Sequence, residues 1–122
     1  MKNVILSGTT AADGSLTVTS SDGGATGFIE KIVYDYQDAD TGADLTITGV
    51  EAGVSIPLLT VTNAGTADVT WFPRTLANKV ADASAFTDVA EKIFVAEAEF
   101  KVVVAQGGNA KDIKLVVYLS DE

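Results

Sequence analysis

Four aspartates fall within the stretch "YDYQDADTGADLTI" (34–47): Asp35, Asp38, Asp40 and Asp44. Carboxylates this close together suit two kinds of chemistry, cation coordination or acid–base work by paired acids. An EF-hand calcium loop takes oxygen ligands at positions one, three, five, seven, nine and twelve, with glycine at six and glutamate at twelve. Counted from Asp38, Asp40 and Asp44 fill positions three and seven, but Gly42 stands at five, Ala43 at six and Gly49 at twelve. The EF-hand pattern fails. An irregular calcium site of carboxylates and carbonyls is the remaining metal reading. The simpler one is a polar, solvated turn, because Asp bonds its own backbone and Gly takes positive φ. The turn is adopted and no metal is assigned.

Acid–base catalysis by two carboxylates needs a pair across a cleft, one with a raised pKa. Glu30 and Asp35 flank an apolar run, but neither has a neighbourhood that argues desolvation. The chain has no histidine and no cysteine. That removes Ser–His and Cys–His nucleophiles, thiolate and ordinary zinc sites, and disulfides. No GxxxxGK[ST] occurs, and "GGATG" lacks the βαβ surroundings of a dinucleotide fingerprint. No catalytic residue and no cofactor are assigned, and a non-enzymatic role is expected.

Net charge is −9, from 17 acids against 8 bases. The lysines are scattered, so no basic face exists to displace counterions from phosphates, and nucleic acid is not an expected partner. Apolar runs are short, well below the ~20 residues that span a bilayer, so no membrane partner is expected. The opening "MKNVILSGTT" offers only Met1 and Val4 to Leu6 as apolar residues, too few for a signal-peptide core, so general secretory export is not expected.

Short alternating runs between turn signals predict an all-β, antiparallel fold in one domain spanning 1–122. "NVILSGTT" and "SLTVTSS" flank a turn centred on Asp13-Gly14; in the second, Leu16 and Val18 face one way and Thr17 and Thr19 the other. "SSDGGATG" reads as a flexible connection. "GFIEKIVYDYQ" places Phe28, Ile32, Tyr34 and Tyr36 on one face and Ile29 and Val33 on the other, as in a central strand. "ADLTITGV" sends Leu45 and Ile47 inward. Pro57 in "VSIPLLTVTN" demands an edge or a bulge. "ADVTWFPR" puts Val69 and Trp71 on one face, Thr70 and Phe72 on the other, and ends at Pro73. Residues 75–92 lack strand character. Phe86, Val89, Ala90 and Ile93 stand at helical spacing, which predicts a short helix or a long packed loop. "EFKVVVAQ" and "KDIKLVVYLS" flank Gly107-Gly108-Asn109, the glycines and asparagine of a tight hairpin. About eight strands follow, packed as a β-sandwich of jelly-roll or immunoglobulin-like type, with a barrel second.

Arg74, the only arginine, follows Trp71, Phe72 and Pro73. Arginine beside aromatics suits an interface anchor. A core tryptophan with a solvated arginine at the strand end reads the residues equally well.

Three stretches resemble a known family: "GFIEKIVYDY", then "DTGADLTITG" with "WFPR" downstream, and "KVVVAQGGNAKDIKLVVYL". In this order the chain is similar to small, largely uncharacterised proteins encoded among the structural genes of tailed bacteriophages. The resemblance spans residues 27 to 118 and does not extend to the composition of 75–92. It implies a virion structural protein of the head decoration or cement type, on the capsid surface and in the host cytoplasm before assembly. The implied partners are the major capsid protein and neighbouring copies, a homotrimer suiting three-fold lattice positions. The residues expected at the contact are Trp71, Phe72 and Arg74, with Lys2, Asn3, Val4, Ile5, Leu6 and Ser7 as a segment able to pair with a neighbouring strand. The alternative is a tail- or fibre-associated carbohydrate- or receptor-binding β-sandwich using Trp71, Tyr34 or Tyr36.

Overall fold

Alternating burial sorts the chain into strands that each offer one side to a common core. The computed structural model describes residues 2–20, 24–79 and 81–121, and the predicted glycine-rich connection falls partly outside them. Ten strands run in chain order: β1 (Lys2–Thr9), β2 (Leu16–Thr19), β3 (Ala25–Tyr34), β4 (Asp44–Glu51), β5 (Val54–Val61), β6 (Val69–Trp71), β7 (Arg74–Asn78), β8 (Ala85–Lys92), β9 (Phe94–Ala105) and β10 (Asp112–Ser120). One sheet has the order β1-β10-β3-β6, the other β2-β9-β4-β5, and all pairings are antiparallel. Their inner faces meet in one core, built from residues such as Leu6, Ile29, Ile32 and Leu115 on one side and Leu45, Ile47, Phe100 and Val102 on the other. The fold is an all-β sandwich, with eight strands in the sandwich itself.

The sheets join at β9. Its first residues pair with β3 (Phe28↔Phe94, Gly27↔Val95), and from Glu99 onward it pairs with β4. The strand turns at Glu97, whose φ is +50°. Two N–H groups turned away from the ladder at the corner are taken by side chains: Glu97 N–H donates to Thr26 Oγ1 (2.9 Å), and Ala96 N–H to the Glu51 carboxylate.

Several expectations hold. Leu45 and Ile47 are fully buried and Thr46 is exposed. β5 is an edge strand, and its register slips beside Pro57, where Leu58 is passed over.

Others are corrected. "DGS" is a turn as expected, whereas "GGNA" is a turn that does not close the predicted hairpin. β1 pairs with β10 and β2 with β9, so 10–15 crosses from one sheet to the other, and 106–111 crosses back between β9 and β10. Turn residues report only that the chain reverses. Whether the flanking strands pair is decided by the distant partner that buries each face. The positive φ angles in the second crossing belong to Gln106, Gly108 and Ala110.

The faces of β3 are also corrected. Its register slips between Lys31↔Tyr118 and Ile29↔Leu119, so Glu30 is an extra residue. A bulge shifts the alternation by one. Ile29, Ile32 and Tyr34 are therefore all buried, while Phe28 and Val33 are only half-buried.

The third correction is at 75–92, which holds neither a helix nor a packed loop. β7 and β8 pair as a hairpin, with Arg74↔Lys92, Thr75↔Glu91 and Leu76↔Ala90. Its end is closed by local bonds. Lys79 N–H donates to Ser84 O (2.8 Å), Ala83 N–H to Lys79 O (2.9 Å), and Asp82 Oδ1 accepts from the Ser84 N–H and Oγ (3.0 and 2.7 Å). These bonds fix a reversal that helix propensity in an alanine-rich segment cannot outweigh. Leu76 and Val89 are exposed; the side chain of Phe86 lies outside the described residues.

The bulge carries a stability prediction. Ile32→Ala should cost about 2–5 kcal/mol as a buried large-to-small change. Val33→Ala, on the outer face, should cost less than about 1.5 kcal/mol. Urea denaturation measures both, and equal costs would contradict the slipped alternation.

Candidate functional site

The aspartate stretch is the third crossing between the sheets, leading from β3 to β4, and 62–68 is a fourth at the same end. Where chain crosses chain, backbone N–H groups lose ladder partners and need others. The aspartates supply them. Asp38 Oδ1 accepts from Asp112 N–H (2.6 Å) and Asp44 Oδ1 from Asn63 N–H (3.0 Å). Asp68, in the fourth crossing, accepts from Tyr36 N–H (2.8 Å). Asp40 acts through its backbone, donating to Gly107 O (3.0 Å), and Asp35 pairs with Lys114 (3.3 Å). Gly107 N–H in turn donates to Gly14 O (2.9 Å). Glycine is required here: Gly14 has φ +84°, and a Cβ on it would sit 2.9 Å from Gly107 N. The turn is thus more than solvated, since it staples separate crossings together. Among the described residues no three acidic, histidine or cysteine side chains converge on a point.

Glu30, the other acid weighed for catalysis, occupies the β3 bulge. Its carboxylate meets Lys92 Nζ at 2.6 Å and accepts from Ser120 Oγ at 3.2 Å. The Lys92 bond holds its carboxyl below the ordinary glutamate range, opposite to the shift a general acid needs.

At the same bulge Arg74 turns its Nη1 onto three backbone carbonyls, Pro73 O (2.7 Å), Glu30 O (3.2 Å) and Ile29 O (3.3 Å). β7 is therefore pinned to β3 by Arg74, and β8 by Lys92. The two ends of the hairpin base grip one extra residue. The rigid guanidinium plane holds both Nη1 hydrogens among the three carbonyls, an orientation that a lysine's freely rotating ammonium does not fix.

Beside this anchor lies the apolar surface. Trp71 is half-buried and stacks on the fully buried Tyr34, with centroids 6.1 Å apart at 20°; Tyr36 meets Tyr34 edge-on at 6.2 Å. Tyr34 has no surface for a sugar ring, and burial pushes its phenol up. Phe72 points outward and is 60% exposed. Among the described residues seven large apolar side chains are exposed, and Phe72, Leu76, Val89 and Phe94 lie on the hairpin or at its base. Between the base and edge strand β5 runs a cleft of about 440 Å³, lined by Phe28, Phe94, Ile56 and Pro57 among others. Phe28 and Phe94 pack edge to face at 5.0 Å.

The two groups nominated from sequence are not brought together. In the order β1-β10-β3-β6, the Trp71–Arg74 segment and the N-terminal strand occupy opposite edges of one sheet. Within β1, Val4 and Leu6 point into the core, while Asn3, Ile5 and Ser7 line the outer surface with Lys2 at the end. Sequence reasoning missed the anchor residues Glu30 and Lys92 and the hairpin itself. One signal was present. "DAS" at 82–84 repeats the Asp-x-Ser spacing of "DGS" at 13–15, and both fold identically, each aspartate accepting from the serine N–H and Oγ.

Two outcomes follow from these contacts. Millimolar calcium should leave the melting temperature unchanged, because the aspartates serve backbone groups on separate segments; an upward shift of several degrees would show them to be ligands. Arg74→Ala should cost about 1–3 kcal/mol by thermal denaturation, since charge-assisted bonds to carbonyls are lost. Arg74→Lys should recover only part of that. Full recovery would show that charge alone holds the base.

No protein-family model matches the chain, and no curated protein matches it. Among solved structures it is similar to FLHE in its crystal structure, with 12% identity, 95% of this chain and 94% of that chain covered and a TM-score of 0.35. It is also similar to a chain of infectious bursal disease virus, Gx strain, with 14% identity and a TM-score of 0.26 over all of this chain and 37% of that one. Likenesses at these scores carry no argument about function.

Proposed function

We propose that this chain is a non-enzymatic structural protein of a tailed-phage virion, a decoration or cement protein seated on the lattice of major capsid subunits at the capsid surface. The observation that carries the reading is the hairpin β7–β8. It is a two-stranded arm, and such arms are marginal in water unless something packs on them. Leu76 and Val89 on the arm and Phe72 and Phe94 at its base are exposed. The charge distribution supports the same surface. Residues 74–92 hold three bases and three acids, so the net charge of −9 lies wholly on the rest of the chain. Interface cores are enriched in aromatic residues, which Phe72 and Phe94 supply here. The resemblance of "DTGADLTITG", "WFPR" and the C-terminal stretch to phage structural proteins supplies the class of partner.

A cement protein needs no reactive group. It works by shape and by number, since many copies on a repeating lattice turn modest contacts into durable attachment. Phe72 would enter a pocket on the capsid, with Arg74 fixing the angle at which the arm leaves the sandwich.

The test is binding to purified heads that lack the protein. The wild-type chain should co-sediment at a fixed ratio to the capsid subunit. Phe72→Ser, on an exposed position that leaves the fold intact, should weaken binding roughly tenfold or more, the scale of a hot-spot residue. Absence of the wild-type chain from sedimented heads would overturn the assignment.

A further inference from the structure

Four strands end the two sheets: β1 and β6 in the first, β2 and β5 in the second. Open edges invite pairing with another chain, and proteins blunt them with shortness, proline, bulges or charge. β6 has three residues, β2 has four, and β5 carries Pro57 and a bulge. β1 has neither proline nor bulge, and its one charge, Lys2, stands at its first residue. Its eight residues, "KNVILSGT", keep unbroken register with β10 from Lys2↔Leu119 to Thr9↔Asp112.

The direction of its free hydrogen-bonding groups can be read from the ladder. Thr10 N–H donates to Lys111 O (2.8 Å), and Asp35 N–H, from the far side, to Lys114 O (3.1 Å). Antiparallel ladders alternate. The even-numbered residues of β1 thus bond β10, and Asn3, Ile5 and Ser7 turn N–H and C=O to the open edge.

We propose that β1 pairs antiparallel with β1 of a second copy about a two-fold axis through Ile5, joining the two first sheets into one continuous sheet. In this register Ile5 faces its own counterpart and Asn3 lies opposite the second copy's Ser7. These are all open-edge residues, so the pairs form about six inter-chain hydrogen bonds. The side-chain faces agree as well, because Asn3, Ile5 and Ser7 oppose outward residues and Val4 opposes the inward Leu6. On that face Ile5, 55% exposed, adjoins Val116, which adjoins Val33, so an apolar row runs unbroken across the axis.

Charge selects a second copy as the occupant. The chain as a whole is acidic, yet β1 contains no acid and one base, Lys2. Antiparallel order brings the Lys2 end of each strand to the Thr9 end of the other. Asp112 lies there, its carboxylate accepting from Thr9 Oγ1 (2.8 Å). The edge strand thus brings no carboxylate of its own to a contact between two acidic bodies. The pairing belongs to the isolated chain and stands whether or not the virion role does.

The chain has no cysteine, so a single introduced thiol reports the contact. Directly opposed, hydrogen-bonded residues have Cα atoms about 5.5 Å apart, within disulfide range. Under mild oxidation Ile5→Cys should cross-link nearly completely into a dimer that still melts cooperatively. Val54→Cys, exposed on β5, should not. Sedimentation equilibrium should give the wild-type chain about twice its mass of 12.6 kDa, as for a closed two-fold pair. Ser7→Pro, which removes an N–H the fold does not use, should give a monomer with an intact melt. If Ser7→Pro does not fold, Ile5→Lys carries the same readout, since it sets two cations face to face at the axis: a folded monomer supports the pairing and a dimer overturns it. A monomeric wild-type chain, or equal cross-linking at positions 5 and 54, overturns it too.

Discussion

Everything in this molecule depends on satisfying backbone groups where the chain passes between sheets. Four crossings share one end, and each interrupts two ladders. The amides of Asp112 and Asn63 that two aspartates take are exposed, so each such bond contributes on the order of 1 kcal/mol. The solution is a chain of contacts, from Gly14 O to Gly107 N–H, from Gly107 O to Asp40 N–H, and from Asp38 and Asp44 to amides on two other segments. With that end closed, both sheets are held at the spacing that lets Leu6, Ile29 and Leu115 meet Leu45, Ile47 and Phe100. Aspartate density, which looks like chemistry in the sequence, serves here to tie the crossings to one another.

The opposite problem arises at Glu30. An extra residue in a central strand throws two carbonyls out of line and turns the next side chains over. Arg74 takes the carbonyls and Lys92 takes the carboxylate, so the irregularity becomes the socket of the projecting arm. The same bulge brings Ile32 and Tyr34 into the core, and Tyr34 then seats Trp71. Core, aromatic cluster and arm are three consequences of one insertion.

What could be read from the sequence divides along the same line. Leu45/Ile47 and Val69/Trp71 were legible because a strand with one wet face writes period two into its residues, and Pro57 because it cannot donate. The bulge was not legible. Phe28, Ile32, Tyr34 and Tyr36 all fall on even positions, and only pairing with β10 shows the slip at Glu30. Gly-Gly-Asn at 107–109 reads as a hairpin and Asp-Gly at 13–14 as a turn, because such residues state a reversal and nothing about partners. For 75–92 the alanines and the spacing of Phe86, Val89 and Ala90 spoke for a helix, while "DAS" spoke for a reversal. Of the candidate site, Phe72 was readable as an aromatic at a strand end. The role of Arg74 was not, because its acceptors Ile29 and Glu30 lie 45 and 44 positions earlier.

The pairing of β1 with β10 has a consequence for biosynthesis. Thr9 and Asp112 stand 103 positions apart, and β1 has no other ladder partner among the described residues. β1 is thus completed only by a strand made about a hundred positions after it. Until β10 arrives, "NVIL" is an orphaned apolar segment on a nascent chain, and long-range strand pairing of this kind is slow. Closure of the first sheet therefore waits for β10, and truncation near residue 112 would leave a chain that cannot close. A holding chaperone, or a neighbour's free edge, is what would shield the waiting strand on a crowded polysome.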